Sequence, residues 1–524
     1  MARLQIVRPL RRRHTRRVGA AAIALVIAAS TAAAGPAAVT GFTAVSNRGG
    51  SPLGVCRDGP DEGRKALNSE VEPWVAVDPT NPQRMAVAHQ QDRWSNGGAR
   101  GVVAEITTDG GASWTPYNRT KTSFCTGGRA RNDGDFERAT DPWVTFAPNG
   151  DLFLMTLSIN QSDPEHAMLV TKFDASAGRW LRPRTLIRQR NPDFLNDKNS
   201  LTADPNEADG SHVYGVWDRV GFERPRSSGG DFFLTLQGPT YFARTVDGGR
   251  TWEPAHVIFD PGDFRQTLGN QIVVSPVLPN GDSSGQLINI FSLIRNVRSS
   301  TKVAVVRSFD QGTTWTAETV IDDMFVRGTS DPDPDSETRR DAIRGGGLIP
   351  EAAVDMANGN VYAVWQDSRF NDFDYDGIAF SRSTDGGATW SEPIEVNKTP
   401  DSGPALNRQA FTPSVAVAPD GTIAVTHYDF RNNDTSVHSR LETDHWLVHC
   451  HPSGAVDCTD AADWEESPPI GGSFNMKAAP YARGYFVGDY AGLAGVPGGF
   501  YVIFSRARTA RDPATVFGAL IPTT

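Results

Sequence analysis

One eight-residue pattern occurs four times in this chain of 524 residues and constrains its fold more than any other feature. Thr107–Trp114 reads Thr-Thr-Asp-Gly-Gly-Ala-Ser-Trp, and Thr245–Trp252, Ser308–Trp315 and Ser383–Trp390 repeat the form Ser/Thr-x-Asp-x-Gly-x-Thr/Ser-Trp. The chemistry of the pattern is local. The aspartate accepts backbone N–H groups of the turn it opens, and the glycine supplies a positive φ. The hydroxyl adds a backbone bond, and the tryptophan packs beside the next strand. These are hairpin staples, so Asp109, Trp114, Asp247, Trp252, Asp310, Trp315, Asp385 and Trp390 are read as structural. Asp109 and Asp247 lie 138 residues apart, twice 69, with a degenerate copy at Asp174–Trp180 between them. The next intervals are 63 and 75 residues, and a worn copy occupies Asp457–Trp464. Recurrence at this period marks a repeat architecture.

Strand pairs fall between the copies. Glu72–Pro79 leads to Arg84–Ala88, Asp141–Pro148 to Asp151–Met155, and Ser200–Asp204 to Val213–Trp217. Gln271–Val274 leads to Leu287–Phe291, Glu351–Asp355 to Val361–Trp365, Thr412–Pro419 to Thr422–Val425, and Val487–Tyr490 to Phe500–Phe504. Each unit then holds four strands: A, a turn, B, a loop, C, the box, D. Such sheets set radially around a channel are propeller blades.

The repeated pattern is the Asp-box, or BNR repeat, and on those residues the chain resembles the sialidase superfamily of β-propellers. The expected fold is all-β, a propeller over residues 71–524. Residues 35–70 form an N-terminal extension. Seven blades are favoured, with six the alternative if Val487–Phe504 completes the sixth. After Phe504 one strand remains, at Ala514–Ile521, so the outer strand of the last blade is expected from Gly41–Asn47.

Blade geometry puts A–B turns and boxes on one face. The B–C loops and A-strand starts lie on the other, where chemistry is expected. Strand B ends in Asp92-Arg93, Asp218-Arg219, Asp367-Ser-Arg369 and Asp429-Phe-Arg431 in four units. Such pairs either brace loops or, through convergent arginines, grip a carboxylate or polyhydroxylated ring by bidentate bonds. Acids at the A-strand starts (Glu72, Asp141, Asp197, Glu351, Asp489) would ring the channel mouth.

The resemblance implies an exo-sialidase. That family uses three arginines on the substrate carboxylate, an aspartate acid/base, and a tyrosine nucleophile activated by a glutamate. Carried onto this sequence, Asp92 takes the acid/base place, and Tyr490 or Tyr428 the nucleophile's, with Glu351 as its partner. Arg93, Arg219, Arg369 and Arg431, with Asp367 and Asp429, would surround the sugar. The first arginine of the family lies in a Phe/Tyr-Arg-Ile-Pro motif. Here that place reads Val71-Glu72-Pro73-Trp74, and an anion there opposes a carboxylate substrate. Three functions therefore stay open: a secreted sialidase-like glycosidase, a non-catalytic glycan-binding propeller, and a propeller enzyme of other chemistry, a lyase or metal-assisted hydrolase.

The N-terminus is Arg-rich to Arg17, apolar from Gly19 to Ala29, and small around Ala32–Ala34, the form of an export signal cleaved near Ala34 or Ala37. Arg16-Arg17 leaves both the general and the twin-arginine routes open. The leader carries seven arginines and no acid, so its removal takes the formal net charge from −10 to −17. Such a surface argues against nucleic acid and anionic membranes as partners. No stretch beyond the leader is apolar enough to span a membrane, and a monomeric, extracellular protein acting on carbohydrate is expected.

Four cysteines in an exported chain fit two disulfides. Cys450 and Cys458 flank a short turn, and Cys56 with Cys125 would tie the extension to the first repeat. A zinc site is the rival reading, but no CxxC occurs and the nearby histidines lack finger spacing. No cofactor is expected, beyond a structural Ca²⁺ at one of two acidic loops, Ser330–Asp335 and Asn371–Asp376. The rival reading of each is a solvated loop.

Overall fold

The computed structural model describes residues 41–46, 49–223, 233–235, 237–281, 283–295, 301–333, 343–509 and 511–523. The leader and Asp335 lie outside them. Residues Ala38–Thr524 form one compact unit. Helix among the described residues is confined to five short 3₁₀ turns; the rest of the regular structure is strand. Among the described residues no helix is long and apolar enough to cross a membrane.

The strands assemble into antiparallel runs that follow chain order. Lys65–Val77, Met85–Trp94, Ala99–Thr107 and Thr115–Pro116 form the first. Arg138–Phe146, Leu152–Ile159, His166–Asp174 and Arg184–Gln189 form the second, joined to the first by a single pairing of Ala99 with Ala139. Further runs begin at Phe194–Ala203, Arg265–Val274, Glu351–Val354 and Ala410–Val417. The last joins Gly492–Val496, Gly499–Arg506 and Thr515–Pro522, with Phe42–Ala44 paired antiparallel to the final strand. Val487–Tyr490, expected as a strand, is instead a loop preceding Gly492–Val496. Gly488 there has φ 146°, outside strand geometry.

Apolar clusters fill the gaps between successive runs. Ala86, Ala88 and Val102 pack on Val144, Leu152 and Trp180; Met155, Leu157 and Val170 pack on Leu201 and Trp217. The succession closes on itself, because Val75, Met85, Val87 and Trp114 of the first run pack on Val496, Tyr501, Ile503 and Val516 of the last. A closed succession of four-stranded antiparallel sheets is the architecture of a β-propeller and leaves only short protected edges.

All four boxes sit between the third and fourth strands of a run. In the first, Ser113 N and Oγ donate to Asp109 Oδ1 and Oδ2 at 2.9 and 2.6 Å, and Thr107 Oγ1 donates to Oδ1 at 2.7 Å. The same three bonds recur around Asp247, Asp310 and Asp385. Neighbouring A–B turns bind the boxes: Gly110 N donates to Gln83 O, and Gly248 N to Ser211 O. The box tryptophans differ in burial. Trp114 is buried at 2% exposure, but Trp252, Trp315 and Trp390 are half-buried. The worn copies bury theirs more fully, Trp180 at 1% and Trp464 at 3% exposure. Cys56 is bonded to Cys125, and Cys450 to Cys458.

Candidate active site

A repeated irregularity in the first strands builds the site. The pairing of these strands slips at Val71/Trp74, Thr140/Trp143, Asp197/Asn199, Leu268/Gln271 and Phe411/Ser414. A left-handed residue sits in each slip: Glu72 (φ 53°), Asp141 (52°), Lys198 (35°), Gly269 (76°) and Thr412 (53°). A bulge of this kind re-aims a side chain, and left-handed backbone in a non-glycine residue is strain that the surroundings must hold. Glu72 and Asp141 each precede a proline, which makes the geometry more demanding.

The re-aimed side chains meet. Glu72 is buried at 1% exposure and accepts a bond from Gln90 Nε2. Burial, then the charges of Asp489 and Asp141, push its carboxyl up to about 8. Asp489 goes the other way, for although burial opposes ionisation, Arg344 pulls its carboxyl below the ordinary range. Asp197 is raised to about 7 by burial and by Asp141. Burial also raises Asp141, against Lys198 and Arg93. The amide of Lys198 donates at 3.1 Å both to Asp141 Oδ2 and to Asp197 Oδ1. Two such bonds to one nitrogen hold those two oxygens no more than 6.2 Å apart, twice 3.1 Å.

Cations are built in. Arg93 Nη1 donates to Gln90 Oε1 at 2.6 Å, and its guanidinium lies 4.9 Å from the Phe486 ring centroid. Arg344 stands 4.5 Å from the same ring. Lys198 Nζ lies 4.2 Å from the Tyr490 ring and 4.4 Å from that of Trp143, whose face stacks on Trp74 at 3.5 Å. Arg93, Thr140, Asp141, Asp197, Arg344 and Arg483 line one cavity of about 320 Å³, walled on its far side by His166, Phe194 and Leu195.

Of the acids expected at the mouth, Glu72, Asp141, Asp197 and Asp489 join this cluster. Glu351 is near enough for Lys198 to act on it; it accepts Ser414 Oγ at 2.7 Å, and burial raises it to about 8. It has no hydrogen bond to Tyr490, whose hydroxyl donates to Pro142 O at 3.2 Å while its ring sits in the core. Burial and nearby acids push that phenol well above 10, so the expected Tyr490–Glu351 nucleophile pair is not formed. Tyr428 is also a core residue, bonded to Ser505 O.

The expected ring of four arginines is not formed either. Arg93 alone reaches the cavity. Arg219 packs over Tyr241 and donates to its hydroxyl at 2.6 Å. Arg369 is held by Asp322 and Asp367, and Arg431 by Asp429 and Glu466. Asp367 and Asp429 also accept the indole N–H of Trp365 and Trp446, so these pairs brace their own sheets. Asp218 instead accepts Gly269 N at 2.8 Å and binds Asn270. Asp92, expected as the acid/base, faces away from Arg93. It accepts Arg100 Nη1 and Asn68 N at 2.9 Å and Ser51 Oγ at 2.5 Å, anchoring the N-terminal extension. Asp92 itself takes left-handed backbone, at φ 62°, which re-aims its side chain.

Three acids of the two acidic loops have protein partners. Asp331 pairs with Lys477 and Asp333 with His438, while Asp376 accepts the amides of Arg327 and Gly328. Among the described residues the one metal-like grouping is Cys56, Asp58 and Cys125, where both sulfurs are in the disulfide.

Sequence reasoning missed Arg344, Lys198 and Arg483. Arg344 lies in a loop with no repeated signature and reaches the site by pairing its backbone with Phe486. A signal for the bulges was present in Glu72-Pro-Trp-Val and Asp141-Pro-Trp-Val, an acid held before proline at the same place in two units.

No protein-family model and no curated protein matches the chain. Solved structures do. A leech intramolecular trans-sialidase aligns with TM-score 0.42 and 12% identity over 91% of this chain and 70% of its own. An α-L-arabinanase of Penicillium chrysogenum aligns with TM-score 0.40 and 13% identity over 74% and 95%. A protein of unknown function from Dyadobacter fermentans gives TM-score 0.43 and 14% identity over 72% and 93%. Likeness at this level assigns no chemistry.

Proposed function

We propose that this protein is a secreted glycoside hydrolase built on a seven-bladed propeller, with Asp197 as proton donor and Asp141 as its carboxylate partner. The blade count follows the seven runs that open at Lys65, Arg138, Phe194, Arg265, Glu351, Ala410 and Gly492. The observation that carries the chemistry is the single Lys198 amide bonded to both carboxyls, which lie in one cavity. Two carboxyls flanking a scissile bond, one of them protonated near neutrality, are the minimum for glycoside cleavage. Asp197, raised to about 7, supports the donor role.

In this reading Asp141 attacks the anomeric carbon, the glycosidic C–O bond breaks with its electron pair, and the Asp197 proton goes to the departing oxygen. Water then loses a proton to Asp197 and attacks the same carbon, releasing Asp141. A retaining course needs carboxyls roughly 5–5.5 Å apart, and the shared amide keeps their two bonded oxygens within 6.2 Å. Arg93 and Lys198 balance the acids, and Phe194 and Leu195 offer an apolar wall to the ring.

A sialic acid specificity fits less well. Arg344 already holds Asp489, and a substrate carboxylate would enter among four acids. A sugar without a carboxylate at the cleavage point suits the site better. The test is hydrolysis of a fluorogenic glycoside panel, sialosides included, by wild type and Asp141→Asn. Turnover of a neutral glycoside, lost in the variant, supports the proposal. Sugar binding without turnover would assign a lectin-like role, and turnover confined to sialosides would restore the sialidase reading.

A further inference from the structure

A second cleft lies on the box face. Its volume is about 460 Å³, and it is lined by Phe153, Val170, Lys172, Leu181, Arg182, Arg184, Gly248, Gly249, Arg250 and Trp252. Phe153 stands at the start of strand Leu152–Ile159, whose last residue lines the catalytic cavity. Lys172 and His166 divide the next strand between the two sites in the same way. Six strand residues put the clefts about 20 Å apart, at opposite ends of one sheet.

The charge of this cleft opposes that of the chain. Four cations line it and no acid does, in a protein of formal net charge −10. Lys172 is committed to Asp151 and Arg182 to Asp133. Arg184 and Arg250 are exposed and make no ion pair among the described residues. The half-buried Trp252 and Leu181, which is 40% exposed, line the same cleft. Gly249, at φ 82°, lets the box loop close over Phe153, since a Cβ there would meet the ring at 2.6 Å. The floor is therefore fixed by a box that is bonded within itself and, through Gly248 N, to Ser211 O.

We propose that this cleft is a second carbohydrate site, which holds a uronate-bearing polysaccharide while the catalytic cavity works elsewhere on the chain. A pyranose face stacks on the Trp252 indole, and the planar carboxylates take the forks of Arg184 and Arg250. The arginine planes select a carboxylate sugar over a neutral one, and the aromatic floor selects a sugar over a featureless polyanion. The part played alongside the catalytic cavity rests on the hydrolase reading, whereas binding at this cleft does not.

The experiment is affinity electrophoresis in gels containing polygalacturonate, with neutral dextran, dextran sulfate and single-stranded DNA as separate arms. Variants are Arg184→Ala/Arg250→Ala, Trp252→Ala and Asp141→Asn, each checked for an unchanged circular dichroism spectrum. We expect polygalacturonate to retard the wild type and Asp141→Asn equally. The double arginine variant should bind at least about 10-fold more weakly, the loss of about 1.4 kcal/mol or more. Neutral dextran should not retard the protein, and Trp252→Ala should weaken the polygalacturonate arm more than the DNA arm. No retardation by polygalacturonate, or retardation unchanged in the double variant, would overturn the proposal. So would equal loss in all three polyanion arms on removing Trp252. Loss in Asp141→Asn alone would move polygalacturonate binding to the catalytic cavity.

Discussion

Asp489 grips Arg344 with both carboxylate oxygens, the Arg344 Nε lying 3.0 Å from Oδ1 and 3.1 Å from Oδ2. The grip joins the loop before the fifth run to the loop before the last, 145 residues on. It also fixes where protons reside. With Asp489 ionised against Arg344, its neighbour Glu72 is held neutral, because two adjacent buried carboxyls cannot both charge.

Gly346 is the hinge of that arrangement. It sits at φ 61°, and a Cβ there would meet Asp489 O at 1.9 Å, a backbone atom that cannot swing aside. Gly346→Ala should therefore displace the Asp489 loop and lower kcat/KM by at least about 10², the scale of a misplaced catalytic group. Gly328→Ala is the control: its φ of 79° carries similar strain, but nothing lies within 4 Å of its Cβ. Equal kinetics for the two variants would show that the clamp is dispensable.

The boxes divide by burial. Trp114→Ala removes a side chain at 2% exposure from the seam between first and last runs and should cost about 3–5 kcal/mol. Trp390 is half-buried, and its loss should cost about 1–2 kcal/mol, nearer the contribution of a partly buried apolar group. Urea unfolding of the two variants measures the difference directly. A larger loss for Trp390→Ala would mean that the seam does not carry the closure.

Stability should fall as pH rises from about 6.5 to 8. Glu72, Asp218 and Glu351 have folded values near 8, above their ordinary ones near 4, so the folded state binds more protons in this window. A group whose folded value is raised loses its contribution as pH climbs through that value. Buried His89 and His445 act oppositely, with folded values near 4 and 3; their contribution is present above 6.5 and lost as pH falls. A melting temperature that falls from pH 6.5, above which the histidines no longer titrate, to pH 8 follows. A maximum at pH 8 or above would contradict the neutral state assigned to these carboxyls.

Sequence carried the fold further than the site. Boxes and strand pairs follow from local turn chemistry and alternation, both written in short stretches, and six of the seven pairs lie where expected. The seventh failed at Val487–Tyr490 because Tyr490 serves a loop packed on Trp74 and Trp143, while Val487 joins the cluster of Phe411 and Phe504. At the site, the A-strand acids were legible as a repeated position. The Asp/Arg pairs were legible too, but residue type does not say which face a side chain takes. Three of the four arginines turned to carboxylates or a phenol of their own neighbourhood. Arg344 was hidden because its placement depends on pairing across distant loops.

Activity should fall on the alkaline side as Asp197 loses its proton. A donor must be protonated, so kcat/KM should decline above about pH 7, the value to which burial and Asp141 raise it. Replacing Asp141 by Asn removes the charge that helps raise it. A pH profile of the wild type that stays flat to pH 9 would exclude Asp197 as the acid.

The most direct test compares leaving groups in Asp197→Ala. A missing proton donor matters when the departing oxygen is basic and little when it is acidic. Against an alkyl or unsubstituted phenyl glycoside the variant should lose about 10²–10⁴ in kcat/KM, the usual worth of general acid catalysis. Against the dinitrophenyl glycoside of the same sugar, the formation of the glycosyl-enzyme should be nearly unaffected. Equal loss on both substrates, or no loss on either, would contradict the role given to Asp197 and with it the account of this site.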